Sequence, residues 1–564
     1  MFFSFWLRNW KQSLEGRSAP RQTPRHRTPA HSPARIRPCL EVLEDRLAPA
    51  NFMSVYDFTG GSLGSMPNGG VILDSSGNLY GTTETGGAHS AGILYQFTPS
   101  NDKFTVLHSF LSSTDGITPE DTLIQDSNGN FYGTAAGGGT GSQGTVFQLS
   151  SDDTTFTTLH NFAGSEGTTP ESNLLMDSKG NLYGTTSGGG GTGGAGTVFE
   201  LSPNGSGGYN LTTLHTFTTT GSDGTDPVAG LLMDSKGNLY GTTKQGGIDG
   251  DGTVYELSPN GTGGYNYSTI YSFDGSDGQA PMGGLIMDSK GNLYGTTQLG
   301  GTDSSGTVFQ LSPNGTGGYN LTTLYAFTGG SDGAQPEDTL LMDAKGNLFG
   351  TTYQGGISQD GTVFELSPNG SGGYNFTTLH KFNNASVGDG ANPVAGLTLD
   401  GNGNLYGTTT AGGDGYGTIF EITGAAAIAA PTVTTASNAT ATFSTNTQNV
   451  MLKASVTSSD GSVDEGKVTF TVVNGTGATI GAATGSVTSS GSASGTLALP
   501  AYTNVGSYTI DASYTDSSGN FADSNNASQS PTPALSVTAA GTTTTAQSTT
   551  ATFSASKQDA TLKA

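Results

Sequence analysis

Cysteine is nearly absent from this chain of 564 residues: its one copy, Cys39, lies among the first fifty, so the remainder can hold neither a disulfide nor a cysteine-ligated metal. Basic residues are almost as scarce. Of 20 Lys and Arg, nine precede Asn51 and include every arginine, which leaves 11 lysines against 41 acidic residues, about −30 net, over the rest of the chain. Such a surface repels phosphate backbones, and nucleic acid is excluded as a partner. No apolar run approaches the ~18–20 residues that carry a helix across a bilayer. Glycine, by contrast, is in excess: 90 residues, more than twice the usual ~7%, without the Gly-X-Y period of collagen. The 21 Tyr and 26 Phe recur at regular places, unlike those of a disordered chain. Short strands joined by many tight turns, an all-β protein, fit this composition.

A heptapeptide close to Gly-Asn-Leu-Tyr-Gly-Thr-Thr begins at Gly77, Gly129, Gly180, Gly237, Gly291, Gly346 and Gly403, at spacings of 52, 51, 57, 54, 55 and 57 residues. That is room for four short strands per copy and close to the ~50 residues of kelch-type propeller repeats. Residues 231–273 are the clearest copy. Strand a is expected at 231–234, b at 238–243, c at 253–257 and d at 268–273, with apolar residues alternating in c and d. Asp234 to Gly237 reads as a type I turn followed by a left-handed glycine, and the Pro259 to Gly264 stretch as the c-to-d loop. The seventh copy supplies a to c but no d, whereas an orphan strand at 54–58 precedes the first copy and matches the d strands in residue type. The first strand is therefore expected to complete the last sheet, closing a seven-bladed β-propeller over 51–424 and removing its open edges.

These motifs resemble the Gly-rich tripartite repeat of bacterial surface proteins (DxxGNLYGTTxxGG, GTVFxLxP, TxLYxFxGxxDGxxP) over 51–423, and more distantly the blades of sensor propellers. The resemblance implies a propeller without implying an activity. Residues 1–50 read as an export leader, rich in Arg, Pro and Ser, and Leu40 to Pro49 (LEVLEDRLAP) resembles the N-terminal motif of exported planctomycete-type proteins. That resemblance implies an extracellular or envelope location. Beyond residue 425 the composition turns to Thr, Ser, Ala and Val, and residues 431–454 recur at 541–564 with 13 of 24 identities. The spacing suits one immunoglobulin-like sandwich over 425–540 and a partial second copy over 541–564. The motifs at Gly466 to Phe470 and Gly506 to Tyr514 resemble bacterial Ig-like repeats.

Chemistry is hard to find in this pattern. His108, His160, His215 and His380 share one repeat position with Tyr56, Tyr271 and Tyr325, and a base or metal ligand does not exchange with phenol so freely. A packing role is expected there. Asp74, Asp126, Asp177, Asp234, Asp288, Asp343 and Asp400 open turns. A second acidic set, Asp115, Glu166, Asp223, Asp277, Asp332 and Asp389, is followed each time by glycine; the Asp members are the calcium candidates, although spaced calcium-loop carboxylates are missing. No cofactor is called for and no catalytic residue is assigned. A cluster of non-repeated acids in one set of channel loops would mark a hydrolase or lyase, and none is expected. The sequence thus points to an exported, non-catalytic binding or adhesion protein for an extracellular glycan or surface protein. A polysaccharide hydrolase or lyase and a purely structural envelope component are its alternatives.

Overall fold

The computed structural model describes residues 51–540 apart from 192, 220–222, 385–387, 427–431, 459–462, 464, 517–523, 528 and 530. The expected leader and the partial second Ig-like copy lie outside the described residues. The described chain is all-β. Besides two single-turn 3₁₀ segments, Gly61–Leu63 and Pro99–Asn101, every element is a strand. Among the described residues no helix is long and apolar enough to cross a membrane.

Residues 51–423 form seven four-stranded antiparallel sheets, built on one local plan. In the fourth, strand a is Leu232–Met233, b is Leu239–Thr243, c is Thr253–Pro259 and d is Tyr265–Ser272. Strands c and d are thus longer than expected and their loop shorter. The a-to-b turn is as anticipated: Gly237 has φ +82°, and the Asp234 carboxylate accepts from Lys236 N (2.8 Å), Asn238 N (2.9 Å) and Asn238 Nδ2 (2.9 Å). Strand b, Leu-Tyr-Gly-Thr-Thr or a close variant, is buried at all five residues in every sheet. It lies between two neighbouring sheets, so both faces are covered.

Alternation in strand d breaks at one place, which the residue pattern did not reveal. Every c–d pairing slips by one residue there, bulging out Val55, Leu107, Leu159, Leu214, Ile270, Leu324 or Leu379. The bulged residue packs into the layer between sheets, and the His or Tyr that follows it is swung to the strand end.

Seven apolar clusters join the sheets in cyclic order. Six link successive sheets, and the seventh links the last to the first through Tyr406 and Ile419 against Leu79, Ile93, Tyr95 and Phe97. Asn51–Asp57 supplies the fourth strand of the seventh sheet, pairing from Asn51↔Thr423 to Asp57↔Thr418. The N-terminal strand therefore closes a propeller-like ring.

Tyr95 and Tyr255 stand where the other sheets have Phe147, Phe199, Phe309, Phe364 and Phe420. Both are fully buried, and neither hydroxyl has a hydrogen-bond partner. Each hydroxyl faces the strand-b glycine, Gly81 or Gly241. A desolvated, unpaired hydroxyl costs about 1–3 kcal/mol. Tyr95→Phe and Tyr255→Phe should each stabilise the protein by about 1 kcal/mol or more, read as a higher urea midpoint at unchanged slope.

Residues 432–538 form a separate β-structure with its own apolar core around Leu452, Phe470, Ile510, Tyr514 and Leu535. Its strands include Gln448–Ser458, Lys467–Val473 and Gly506–Thr515, the last two carrying the motifs at Gly466 to Phe470, from Lys467 on, and Gly506 to Tyr514. They belong to two sheets, one of three strands and one of six.

Candidate functional site

The two threonines of strand b place what matters at the ring axis. The second donates to a carbonyl two residues on, as Thr243 Oγ1 does to Gln245 O (3.0 Å). The first reaches the next sheet. Thr82, Thr134, Thr185, Thr242, Thr296, Thr351 and Thr408 each donate to the loop that enters strand a of the following sheet, at the carbonyls of Asp121, Ser172, Ala229, Gly283, Asp338, Ala395 and Gly69. The last of these, from Thr408 to Gly69, runs from the seventh sheet to the first.

Each entry loop begins with proline, at 67, 119, 170, 227, 281, 336 and 393. The residue ahead of it, Met66, Thr118, Thr169, Asp226, Ala280, Gln335 or Asn392, is left-handed, with φ between 53° and 63°, though none is glycine. Non-glycine residues held there cost free energy and tend to gather at functional sites. Two backbone hydrogen bonds hold each one; for Asp226 they run from its N–H to Ala195 O (3.0 Å) and from Lys244 N to its carbonyl (3.0 Å).

On this repeated backbone the side chains differ. Residues of all seven sheets line one cavity of about 420 Å³, among them Asn68, Glu120, Glu171, Val228, Met282, Glu337 and Val394, which all follow the loop proline. Asp121, Asp226, Asp338 and Lys244 line it too. This corrects the expectation that no non-repeated acids gather in one set of loops. The signal was in the sequence: aligned by repeat, the entry loops read PNGG, PEDT, PESN, PVAG, PMGG, PEDT and PVAG, and they vary in charge where the rest of the repeat does not. Reading the acids as uniform rings hid it.

The pocket carboxyls are held in contrasting ways. Burial pushes Glu120 up to about 7, with Glu171 and Glu84 adding to it. Asp121 is driven well above the usual carboxylate range, first by burial and then by Glu120, Asp338 and Glu171, against a hydrogen bond from Thr134 Oγ1 (2.8 Å). Burial also raises Asp338, although it accepts from Thr339 N (2.5 Å) and Gly396 N. Glu171, Asp226 and Glu337 are raised by burial and partly restored by Lys244.

The calcium candidates are engaged otherwise and are not brought together. Asp115 accepts from His108 Nε2 (3.0 Å), Leu111 N (3.1 Å) and Thr114 Oγ1 (2.6 Å). Asp389 meets His380 (3.0 Å), and Asp223 lies 3.4 Å from His215. Asp277 and Asp332 take the hydroxyls of Tyr271 and Tyr325, and Glu166 pairs with His160 (3.2 Å). Imidazole and phenol exchange at this position because both pair with a loop carboxylate. Both also stack on the next sheet: His108 on Phe156, His215 on Tyr267 and Tyr325 on Phe376, at centroid distances of 3.7, 4.1 and 4.1 Å. Among the described residues no three His, Cys, Asp or Glu converge as metal ligands.

The chain matches the Gloeobacter/Verrucomicrobia repeat over residues 46–255, 189–319 and 227–484. It belongs to that family. No curated protein matches. Similar solved structures include a protein of unknown function from Dyadobacter fermentans (13% identity, 53% of this chain and 93% of that one, TM-score 0.34). A PL25 ulvan lyase is similar too (13%, 66% and 94%, TM-score 0.38), as is the GH43 endo-arabinanase of Bacillus licheniformis (14%, 47% and 99%, TM-score 0.27).

The turn aspartates carry a pH prediction. In Asp74 and Asp126 burial alone would raise the carboxyl, but hydrogen bonds from the backbone and side chain of Asn78 or Asn130 outweigh it and hold both below the usual value. A carboxyl depressed in the folded state stabilises above its unfolded value and loses that contribution as pH falls through the folded one. Urea midpoints should therefore drop below about pH 4, and Asp74→Asn and Asp126→Asn should each flatten that drop while lowering the midpoint at pH 6.

Proposed function

We propose that this is an exported, non-catalytic binding protein of the cell surface. Residues 51–424 are a seven-bladed propeller that binds an extracellular glycan or surface protein in its axial pocket, and residues 425–540 are an Ig-like spacer. Seven four-stranded sheets in cyclic contact support the propeller. Two facing sheets, a separate core and a Tyr508 hydroxyl that donates to Asn504 O (2.8 Å), in the manner of a tyrosine corner, support the Ig-like reading. The leader motif supports export.

One observation carries the functional reading. A cavity lined from every sheet is built of side chains that differ between repeats, on a backbone that repeats. Carboxylates, carboxamides and hydroxyls beside a few apolar groups suit a polyhydroxylated ligand, with polar groups fixing its orientation. The test is a polysaccharide and peptidoglycan array, run with calcium and with chelator, on the wild type and on Glu120→Gln/Asp338→Asn. Binding that falls at least about tenfold in the variant, roughly the loss of one charged hydrogen bond, supports the pocket. Equal binding by both moves recognition to the outer loops, and silence from folded protein removes glycans.

The hydrolase or lyase alternative draws on Glu120. A carboxyl that burial pushes up to about 7, set among further carboxyls, suits the general acid of the carboxyl pair that glycoside cleavage uses. Reducing-end release from a bound polysaccharide, abolished by Glu120→Gln, would establish that reading in place of the first.

A further inference from the structure

The axial pocket holds more acid than its space can keep ionised. Glu120 and Asp121 enter it from the second sheet, Glu171 from the third, Asp226 from the fourth and Glu337 and Asp338 from the sixth, around one lining cation, Lys244. Glu84 stands beside them, accepting from Asn68 Nδ2 (3.0 Å). Few donors compensate this charge. Asp338 takes two backbone N–H groups and the Thr339 side chain, Asp121 one hydroxyl, Glu171 the Ser187 side chain and Glu337 the Gln298 amide (2.7 Å). Like charges confined in a partly dehydrated cavity cannot all ionise together, and they titrate as a set.

We propose that the axial pocket is a proton-exchanging unit: its carboxyl groups share protons at neutral pH, and a charged ligand entering it changes how many they hold. The electrostatic contacts form a continuous path. Glu120 acts on Asp121, Glu171 on both, Asp226 on Glu171 and Asp338 on Asp121, while Lys244 opposes them at Glu171, Asp226 and Glu337. A cationic group entering the pocket expels protons and binds more tightly as pH rises from 5 to 8. An anionic ligand takes protons up and binds more tightly as pH falls. The inference rests on reading the pocket as the binding site, and it makes that site responsive to the acidity outside the cell.

The test needs no ligand. The full chain is titrated potentiometrically from pH 8.5 to 5 beside Glu120→Gln and Lys244→Met, with circular dichroism confirming that all three are folded. Between pH 6 and 8 the wild type should take up about one proton more than Glu120→Gln, the count for one carboxyl moved into that range. Lys244→Met should shift the uptake to higher pH by about half a unit or more, because the cation that favours ionisation is gone. Carboxyl ¹³C shifts of the wild type read the same titration without a variant. Coincident curves above pH 6, with the carboxyl signals all titrating near 4, would overturn the proposal. A failed glycan screen leaves this outcome untouched, so the two readings fail separately.

Discussion

Deleting Asn51–Asp57 should turn the closed ring into a species that associates beyond the intact protein or fails to fold. The strand pairs along its whole length with Thr418–Thr423, and removing it leaves the seventh sheet with a bare, fully formed edge, the feature that invites pairing with another chain. It also removes Phe52, stacked on His380 at 3.6 Å, and Tyr56, stacked on Phe104 at 4.3 Å. Phe58, fully buried between the last and first sheets, then has no strand to fix it. Two lost aromatics, both half-buried and so each below the roughly 1.5–3 kcal/mol of full burial, together with the ladder, take a large share of the ~5–15 kcal/mol that holds a typical domain together. Light scattering after size exclusion should show oligomers or a much lower melting temperature. A permutant with the same seven residues placed after Thr423, joined by a loop such as Asn260 to Gly264, should restore the size and melt of the intact protein. If the deletion leaves size and melt unchanged, closure contributes nothing, and the ring is held by inter-sheet packing alone.

Closure was legible in the sequence because it is a matter of counting: seven strands b, six complete strands d and one orphan at the other end. The a-to-b turns were legible as well, since Asp and Gly at fixed offsets leave the backbone little choice. The strand-d bulge was not. In Thr-Thr-Leu-His-Thr-Phe the leucine and the histidine both read as members of one alternating strand, and only pairing with Val198 and Phe199 shows that Leu214 is the extra residue. The pocket was hidden for a different reason. Its residues are separated by whole repeats, and what unites Glu120, Asp226 and Asp338 is a common radius in a ring, which has no local trace. Their trace is instead a contrast between repeats, found by asking where near-identical copies disagree.

Gly295→Ala should destabilise the protein by about 1–3 kcal/mol, the range for forcing a methyl group into a packed core. The sign is informative. Gly295 is not left-handed, and at such a site glycine to alanine normally stabilises by about 0.4–1 kcal/mol through the unfolded chain. What opposes the change is space. A Cβ on Gly295 would lie 2.7 Å from Phe309 Cζ and 3.0 Å from Leu285 Cδ2, and Phe309 is fully buried with Leu285 nearly so. The ring lies against the glycine across the b–c pairing, Gly295↔Phe309, and the same contact recurs at Gly133, Gly184, Gly350 and Gly407 with Phe147, Phe199, Phe364 and Phe420. The Gly-Thr-Thr of strand b thus has two separate tasks: its first threonine reaches the axial loop of the next sheet, and the glycine admits the aromatic that fills the layer to the next sheet. A double-mutant cycle separates this cause from a backbone effect. With Phe309→Leu the ring tip is gone, and adding Gly295→Ala should cost close to nothing, a coupling of about 0.5–3 kcal/mol between the two sites. If the cost of Gly295→Ala is the same in both backgrounds, the glycine is needed for its backbone, and the fit between strands b and c does not explain why the repeat carries it.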